Sequence, residues 1–437
     1  MSSEYSRVRS YIAQLFRENS EEQLIEKLLP KRDNPPLSIP RGNSRDHLFA
    51  RLDLLGQAPE NRREIADPRS VLHGDSYTHN IENYIGTVKI PLGLAGPLRV
   101  NGLFAQGDYY IPLATTEAAL VASYSRGSRL ITEAGGCTAM LLNEGVSRAP
   151  GFVFSNLIET GLFIVWVQGQ FEKFQERASQ TTRHGKLVDM KLTVEGNHVY
   201  LYFEFTTGDA SGQNMVTIAT EAICSYIQEN SPVKPRLCFV EANLSGDKKA
   251  SIQSFQTVRG RKVTAEVIID DQLIKKWLHT EPERLVEYWR ISAIGGALSN
   301  TIGLQGQYAN GLAALYLACG QDVACVAESS VGLTRFEITP KGDLYASVTL
   351  PNLMVGTVGG GTGLPSQRAC LEIMGLFGPN KARAFAELCA ALCLGGELSI
   401  TGAMCACEFT KAHRLLARHG KAQSNFAPSQ LETVPDR

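Results

Sequence analysis

A chain of 437 residues with 43% hydrophobic and 20% charged residues has material for two or three globular domains. Its net charge of -1 leaves no basic excess for neutralising phosphates, which excludes nucleic-acid binding as the main role. No stretch approaches the roughly 18 uninterrupted apolar residues of a membrane span. Residues 1–16 carry Glu4 and lack a long apolar run, so they do not read as a secretory signal. Ten cysteines without a CxxC pair read as buried thiols of a reducing compartment. A cytoplasmic protein with no metal site and no membrane or nucleic-acid partner is expected.

Residues 3–30 place Val8, Tyr11, Ile12, Leu15 and Phe16 at helical spacing, and Asn34-Pro35-Pro36 ends the pattern. Residues 1–77 thus read as a small helical domain. From Glu82 the texture changes to apolar runs punctuated by glycine and proline, with a strand over 88–98. Leu120, Val121, Tyr124, Ser128 and Ile131 mark a helix over 118–131. Thr115 or Thr116 is its expected cap, which puts Glu117 in the first turn.

After a break at 147–151 come an extended segment at 152–155, a helix over 162–177 and strands at 186–193 and 199–205. A helix beginning near Met215 and a strand at 236–241 follow. This β-α-β-β-α-β order is the split βαβ of ferredoxin-like domains. Residues 149–241 are read as an insert of that kind, and 242–249 as its connecting loop. Residues 78–148 and 250–437 then form one large domain of mixed helices and sheet. Its helices are expected near 272–280, 283–300, 308–319, 366–376, 380–394 and 397–418, and its strands at 323–329, 334–339 and 344–349. The fold class is α+β.

The connecting loop carries Asp247, Lys248 and Lys249. Adjacent ammonium groups depress one another's pKa and a neighbouring aspartate restores it. Such a cluster either faces water or holds a cation against a carbonyl oxygen that is becoming an oxyanion. The run 208–214 enters a helix with glycines at both ends of its turn, an arrangement suited to an anion. Residues 356–363 hold five glycines in eight positions, more than turn geometry alone requires. Asp322, set between Ala318-Cys319 and Val323-Ala324-Cys325, is expected to be buried and partnered.

Five motifs in register resemble the 3-hydroxy-3-methylglutaryl-CoA (HMG-CoA) reductase family over residues 78–420. They are Glu82-Asn83-Tyr84-Ile85-Gly86, Pro112-Leu113-Ala114-Thr115-Thr116-Glu117, Asp247-Lys248-Lys249, Gly320-Gln321-Asp322, and Gly356-Thr357-Val358-Gly359-Gly360-Gly361-Thr362. The third and fifth look like the class I form. The resemblance implies reduction of HMG-CoA to mevalonate and CoA with two NADPH, in a dimer or tetramer whose sites lie between subunits. It assigns Lys248 to the thioester oxyanion, Glu117 to protonation of the aldehyde oxygen and His413 to protonation of the departing thiolate. Asp322 bridges the lysine and the glutamate, and Glu117 and Asp322 are expected to share a proton near neutrality.

For the substrate the resemblance implies Arg148, Ser123, Asp247, Lys249 and Asn310, with Arg290 replacing a family lysine. For the cofactor it implies Asp209, Ala210, Ser211, Gly212, Gln213 and Asn214, together with Thr182, Arg183, Arg418, Gly359 and Gly360. Ser211 and Gln213 stand where the family carries methionines, and Glu241 where it carries a serine. Two arginines favour NADPH over NADH, because a reader of the ribose 2′-hydroxyl is more often acidic. The competing readings are an NADH-preferring enzyme oxidising mevalonate and a catalytically weak CoA-ester binder.

Overall fold

The computed structural model of the chain describes residues 3–30, 37–56 and 58–407, and it divides into two compact units at Val88/Lys89. In the first unit, polar caps start the short helices. Ser20 accepts from the Gln23 N–H, and the Gln23 side chain accepts in return from the Ser20 N–H, ahead of Glu21–Leu28. Asp67 does the same work alone ahead of Pro68–Leu72. A small core joins Leu48, Leu52 and Tyr84, and Tyr77 stacks on Tyr84 at 5.1 Å. Buried Arg51 donates to the carbonyls of Pro40, Gly42 and Tyr84. The 82–86 motif is therefore anchored through Tyr84.

The second unit is built on ten strands. They are β1 (Leu92–Gly102), β2 (Gln106–Ala114), β3 (Cys137–Arg148), β4 (Gly151–Val153), β5 (Lys186–Glu195), β6 (His198–Thr206), β7 (Leu237–Phe239), β8 (Gly260–Ile269), β9 (Leu333–Ile338) and β10 (Leu344–Leu353). The main path runs β7-β4-β6-β3-β8-β10-β9, with β1 beside β2 and β3, and β5 beside β6. Neighbours are antiparallel except β1 and β3. Strand β3 changes partners along its length. Thr138 to Gly145 pair with β8, whereas Val146, Ser147 and Arg148 pair with β6. Arg148 thus ends the strand where one set of strands passes into the other.

In β8, Val263, Ala265, Val267 and Ile269 point into the core, the period of two expected of a strand packed on one face. Between β4 and β7 lie helices Leu157–Gln168, Phe171–Ser179 and Gln213–Asn230. The single helix expected over 162–177 is two, parted at Gly169, whose N–H already turns back to the Trp166 carbonyl.

Helix Ala382–Cys405 runs through the centre of this unit, with every residue from Ala384 to Ser399 buried. Two helices parted near 395–396 were expected; instead Gly395-Gly396 is a crossing point. A Cβ on Gly127 would sit 1.8 Å from the Gly395 carbonyl oxygen, and one on Gly396 would sit 2.5 Å from the Tyr124 ring. The glycines let helix Leu120–Glu133 approach backbone to backbone. Among the described residues this is the one helix long and apolar enough to cross a membrane, and 89% of its apolar window is buried inside the protein. Its two buried acids meet backbone N–H groups. Glu387 accepts from Phe104, Ala105 and Leu141, and Glu397 accepts from Gly306 and Gln307 at the start of Tyr308–Ala318.

The strand expected at 323–329 is absent. Gly320 turns at φ +65°, Asp322 accepts from the Ala324 N–H at 3.0 Å, and the chain coils into a 3-10 turn at Val323–Cys325 and a helical turn at Val326–Ser329. A side-chain cap overrides the β-branched composition here.

Gly127→Ala is expected to destabilise the protein by about 2 kcal/mol or more, since the added methyl meets backbone that cannot rotate away. Urea unfolding followed by circular dichroism measures it. Stabilisation, as helix propensity alone would give, would show that the helices do not cross at this point.

Candidate active site

The loop after β7 brings the chain back to β8 through three left-handed residues, Asn243 at φ +64°, Gly246 at φ +73° and Lys248 at φ +56°. A lysine rarely adopts that conformation. It is held there because its backbone N–H donates to Glu328 Oε1 at 3.2 Å. The side chain then reaches Asp322, Nζ to Oδ2 at 2.8 Å. That hydrogen bond raises the lysine's pKa against the opposing effect of burial. The ammonium therefore stays charged at neutral pH.

Asp247 turns the other way. Its carboxylate meets Arg148 Nη1 at 3.0 Å and Arg259 Nη2. Burial by itself would raise its pKa, but Arg259 and Arg148 hold it below the ordinary carboxylate range. The aspartate that Lys248 bonds is thus Asp322, while the adjacent Asp247 adds to its pKa through charge alone. Lys249 donates back to the Asp247 carbonyl at 2.8 Å.

Two residues that sequence reasoning missed hold this loop in place. Arg259, 1% exposed, donates to Glu328 Oε2 at 2.7 Å, to the Ser147 carbonyl at 2.7 Å and to Asp247. Glu328 is fully buried, and desolvation pushes its pKa up to about 7 against the pull of Arg259 and of the Lys248 N–H. Arg259 stands at the start of an alternating strand, and Glu328 lies in the segment expected to be one. The only available signal was a charged residue flanked by Val258 and Gly260, which calls for a buried counter-ion.

Glu117 lies outside the helix expected to begin beside it. Helix Leu120–Glu133 starts after Ala119, itself left-handed at φ +70°, and Thr115 Oγ1 accepts from the Glu117 N–H at 3.0 Å. This small turn consumes the threonine that was expected to cap the helix. Both Glu117 oxygens accept from Asn310 Nδ2, at 3.0 and 2.9 Å. A cleft of about 400 Å³ opens beside them, lined also by Thr115, Leu120, Ala313 and Val326. Val326, in this lining, follows directly on the turn that Asp322 starts.

Asp322 is not buried as expected; its side chain is 42% exposed, because it caps a surface turn. Among the described residues no hydrogen bond joins it to Glu117. Its partners are Lys248 and the Ala324 N–H.

The glycine-rich loops meet one another through backbone. A Cβ on Gly356 would lie 2.6 Å from the Ser211 nitrogen, and one on Gly320 would lie 2.2 Å from the Gly361 carbonyl oxygen. The Thr357 N–H donates to the Asp209 carbonyl at 2.9 Å. The Asp209 carboxylate accepts from the N–H groups of Asn380 and Ala382, which ties this loop to the start of the central helix. Gly359 and Gly360, both left-handed, have open space where a Cβ would be. Helix Gln213–Asn230 begins at Gly212 with no side-chain cap, so its first N–H groups suit an anion. Thr207 Oγ1 donates to the Ala210 carbonyl at 3.0 Å, and Gln213 Nε2 meets Cys325 Sγ at 2.7 Å. Asn214 follows on the first turn, exposed.

Other expected site residues stand apart. Ser123 sits in the helix crossing, bonded to Ser399 and Gln307. Thr182 accepts from the His184 and Gly185 N–H groups beside exposed Arg183. Arg290 is exposed on helix Pro282–Leu298. His413 and Arg418 lie outside the described residues.

The sequence matches a family model for hydroxymethylglutaryl-coenzyme A reductase over residues 48–418. It is 44% identical over 344 residues to 3-hydroxy-3-methylglutaryl-coenzyme A reductase of Methanocaldococcus jannaschii, spanning 78% of this chain and 85% of that one. To the protein of the same name from Pyrococcus horikoshii it is 45% identical over 347 residues, 78% of this chain and 84% of the other. Among solved structures, the class II 3-hydroxy-3-methylglutaryl-CoA reductase from Streptococcus pneumoniae bound to NADPH superposes with a TM-score of 0.61 over 82% of this chain and 86% of that one. At 20% identity this last likeness speaks for the fold alone.

The raised Glu328 pKa has a stability consequence of definite sign. Between its ordinary 4.5 and about 7 the folded state holds a proton that the unfolded state has lost. Its contribution to stability is therefore complete below 4.5 and lost as pH rises through 7. Relative to Glu328→Gln, the wild-type protein should lose roughly 1–3 kcal/mol between mildly acidic and mildly alkaline pH. Urea unfolding of both proteins across that range checks it; parallel stability curves would contradict it.

Proposed function

The chain belongs to the hydroxymethylglutaryl-coenzyme A reductase family, and on that premise we propose that it reduces (S)-3-hydroxy-3-methylglutaryl-CoA to (R)-mevalonate and CoA with two NADPH. The observation that carries the reading is the charged Lys248, fixed on Asp322 at 2.8 Å, together with Glu117, which Asn310 holds in the lining of a cleft. A carbonyl that accepts hydride becomes an alkoxide, and a preorganised ammonium stabilises that charge without reorganising. Lys248 serves both reductions, of the thioester and then of the aldehyde. When the first adduct collapses its C–S bond breaks, and the thiolate takes a proton from His413, the side-chain type nearest it in range. Glu117, directed by Asn310, supplies the proton that the final alkoxide takes up.

NADPH supplies the hydride in each reduction when bound, and the uncapped start of Gln213–Asn230 fits its phosphates. Ala210, Ser211, Gly212 and Asn214 offer backbone there, Asp209 and Gln213 brace the loop, and Gly359 and Gly360 are assigned to the cofactor from the neighbouring glycine loop. Thr182, Arg183 and Arg418 are assigned to the 2′-phosphate. The substrate's distal carboxylate is assigned to Arg148, with Lys249 and Asp247 alongside and Ser123 behind. The class I-like assignment rests on the Asp247-Lys248-Lys249 and 356–362 motifs.

The inserted 149–241 segment is read as a ferredoxin-like cofactor domain, a reading supported by its strand order β5-β6-β4-β7. Residues 89–148 and 250–437 are assigned to the substrate domain and 242–249 to the catalytic connection, and the helical unit expected over 1–77 extends to Val88. A homodimer, or a tetramer of two dimers, accounts for Arg290. Its helix exposes Ile291, Ile294 and Leu298, an apolar face that a second copy would cover while carrying Arg290 to a neighbouring site. A reducing, cytoplasmic location accords with ten free thiols.

Following nicotinamide absorbance with HMG-CoA tests the reading. Wild-type protein should oxidise NADPH in preference to NADH. Lys248→Ala should lower kcat by about 10²–10³-fold with NADPH affinity retained. No cofactor oxidation by wild-type protein would overturn the proposal.

A further inference from the structure

Arg148, 5% exposed at the end of β3, has two carboxylates on one nitrogen. Nη1 lies 3.0 Å from Asp247 Oδ2 and 3.3 Å from Glu241 Oε2. Among the described residues Nη2 reaches only the Gln213 carbonyl, at 3.4 Å, and the buried Nε has no partner. Glu241 is equally incomplete. Its Oε2 accepts from the Ser245 hydroxyl at 2.8 Å and the Ala149 N–H at 3.3 Å, while its buried Oε1 has no partner. Two unsatisfied atoms, one donor and one acceptor, thus sit in the same ion cluster without pairing.

Asp247, Glu241 and Glu328 face Arg148 and Arg259; with Glu328 raised toward neutrality by burial, Asp247 and Glu241 already match the two guanidinium groups. Lys248 is matched separately by Asp322. Of the three acids, Asp247 is held by both arginines and Glu328 is fully buried. Glu241 has a single long ion contact and the most exposed side chain, 24%. It is the member that can give way.

We propose that Glu241 is a specificity-determining residue: it serves Arg148 as an in-chain counter-ion, so that an acyl group ending in a carboxylate must displace it to bind. The proposal rests on the assignment of Arg148 to the substrate carboxylate made above. A further carboxylate brought to two guanidinium groups that are already matched meets like charge on arrival, and a displaced Glu241 loses its bonds to Ser245 and Ala149. The site therefore binds carboxylate-ended thioesters more weakly than its arginine would allow, and neutral acyl groups are spared the penalty.

Calorimetric titration of the full chain with HMG-CoA and with 3-hydroxybutyryl-CoA, which keeps the thioester and 3-hydroxyl but lacks the distal carboxylate, tests this. Glu241→Ser and Glu241→Gln should each bind HMG-CoA about tenfold more tightly than wild type, with 3-hydroxybutyryl-CoA affinity unchanged. A merely structural role would move both ligands together. The glutamine variant keeps the shape and the acceptor for Ser245, and it decides the matter if circular dichroism shows the serine variant unfolded. Equal or weaker HMG-CoA binding by the variants overturns the inference, since Glu241 is then neutral or itself a substrate acceptor. If none of the three proteins binds HMG-CoA, the HMG-CoA reading falls and this inference with it.

Discussion

A single guanidinium joins four parts of the chain around Lys248. Arg259, just ahead of β8, binds the last residues of β3 through the Ser147 carbonyl, the connecting loop through Asp247, and the turn 326–329 through Glu328. Glu328 in turn holds the Lys248 N–H. A buried ion pair of this kind adds little net stability against an apolar alternative, but removing one partner typically costs about 3–5 kcal/mol. Its value lies in geometry. It ties the left-handed Lys248 to the same turn that presents Asp322, so ammonium and carboxylate are fixed by one network.

The second constraint is backbone approach. Glycine at 127 and 395 lets two helices of the core touch, and glycine at 320, 356 and 361 stacks three loops where a methyl group would collide. The helix crossing sets the position of Leu120–Glu133, which follows Glu117. The loop stack sets Asp322 relative to the 209–214 turn. Chemistry is thus brought to one place by close contact of main chain, with side chains of opposite charge locking the last few ångströms.

Much of this was legible because it is local. The alternation of β8 and the turn chemistry of 243–249 are visible in short windows, and the paired lysines advertise themselves. What was not legible depends on partners far away in sequence. Gly395-Gly396 reads as a helix break until Gly127 and Tyr124 are placed against it. Val323 to Ser329 reads as a strand until the Asp322 side chain caps it into a turn. Asp322 reads as buried from its apolar neighbours in sequence, although capping at the surface exposes it. Arg259 and Glu328 are silent singly, since only their pairing across sixty-odd residues of chain, at 2.7 Å, gives either a purpose. The order of motifs conveyed the chemistry; which acid serves which base came only from the fold.

The central claim is that the buried guanidinium orients Lys248. Its most direct test is the single-turnover rate of NADPH oxidation in Arg259→Lys, which keeps the charge but not the three-way fork. The account predicts a rate at least about tenfold lower in a folded protein, with NADPH affinity unchanged, because small displacements of a reacting group are costly. A folded Arg259→Lys protein turning over at the wild-type rate would contradict it.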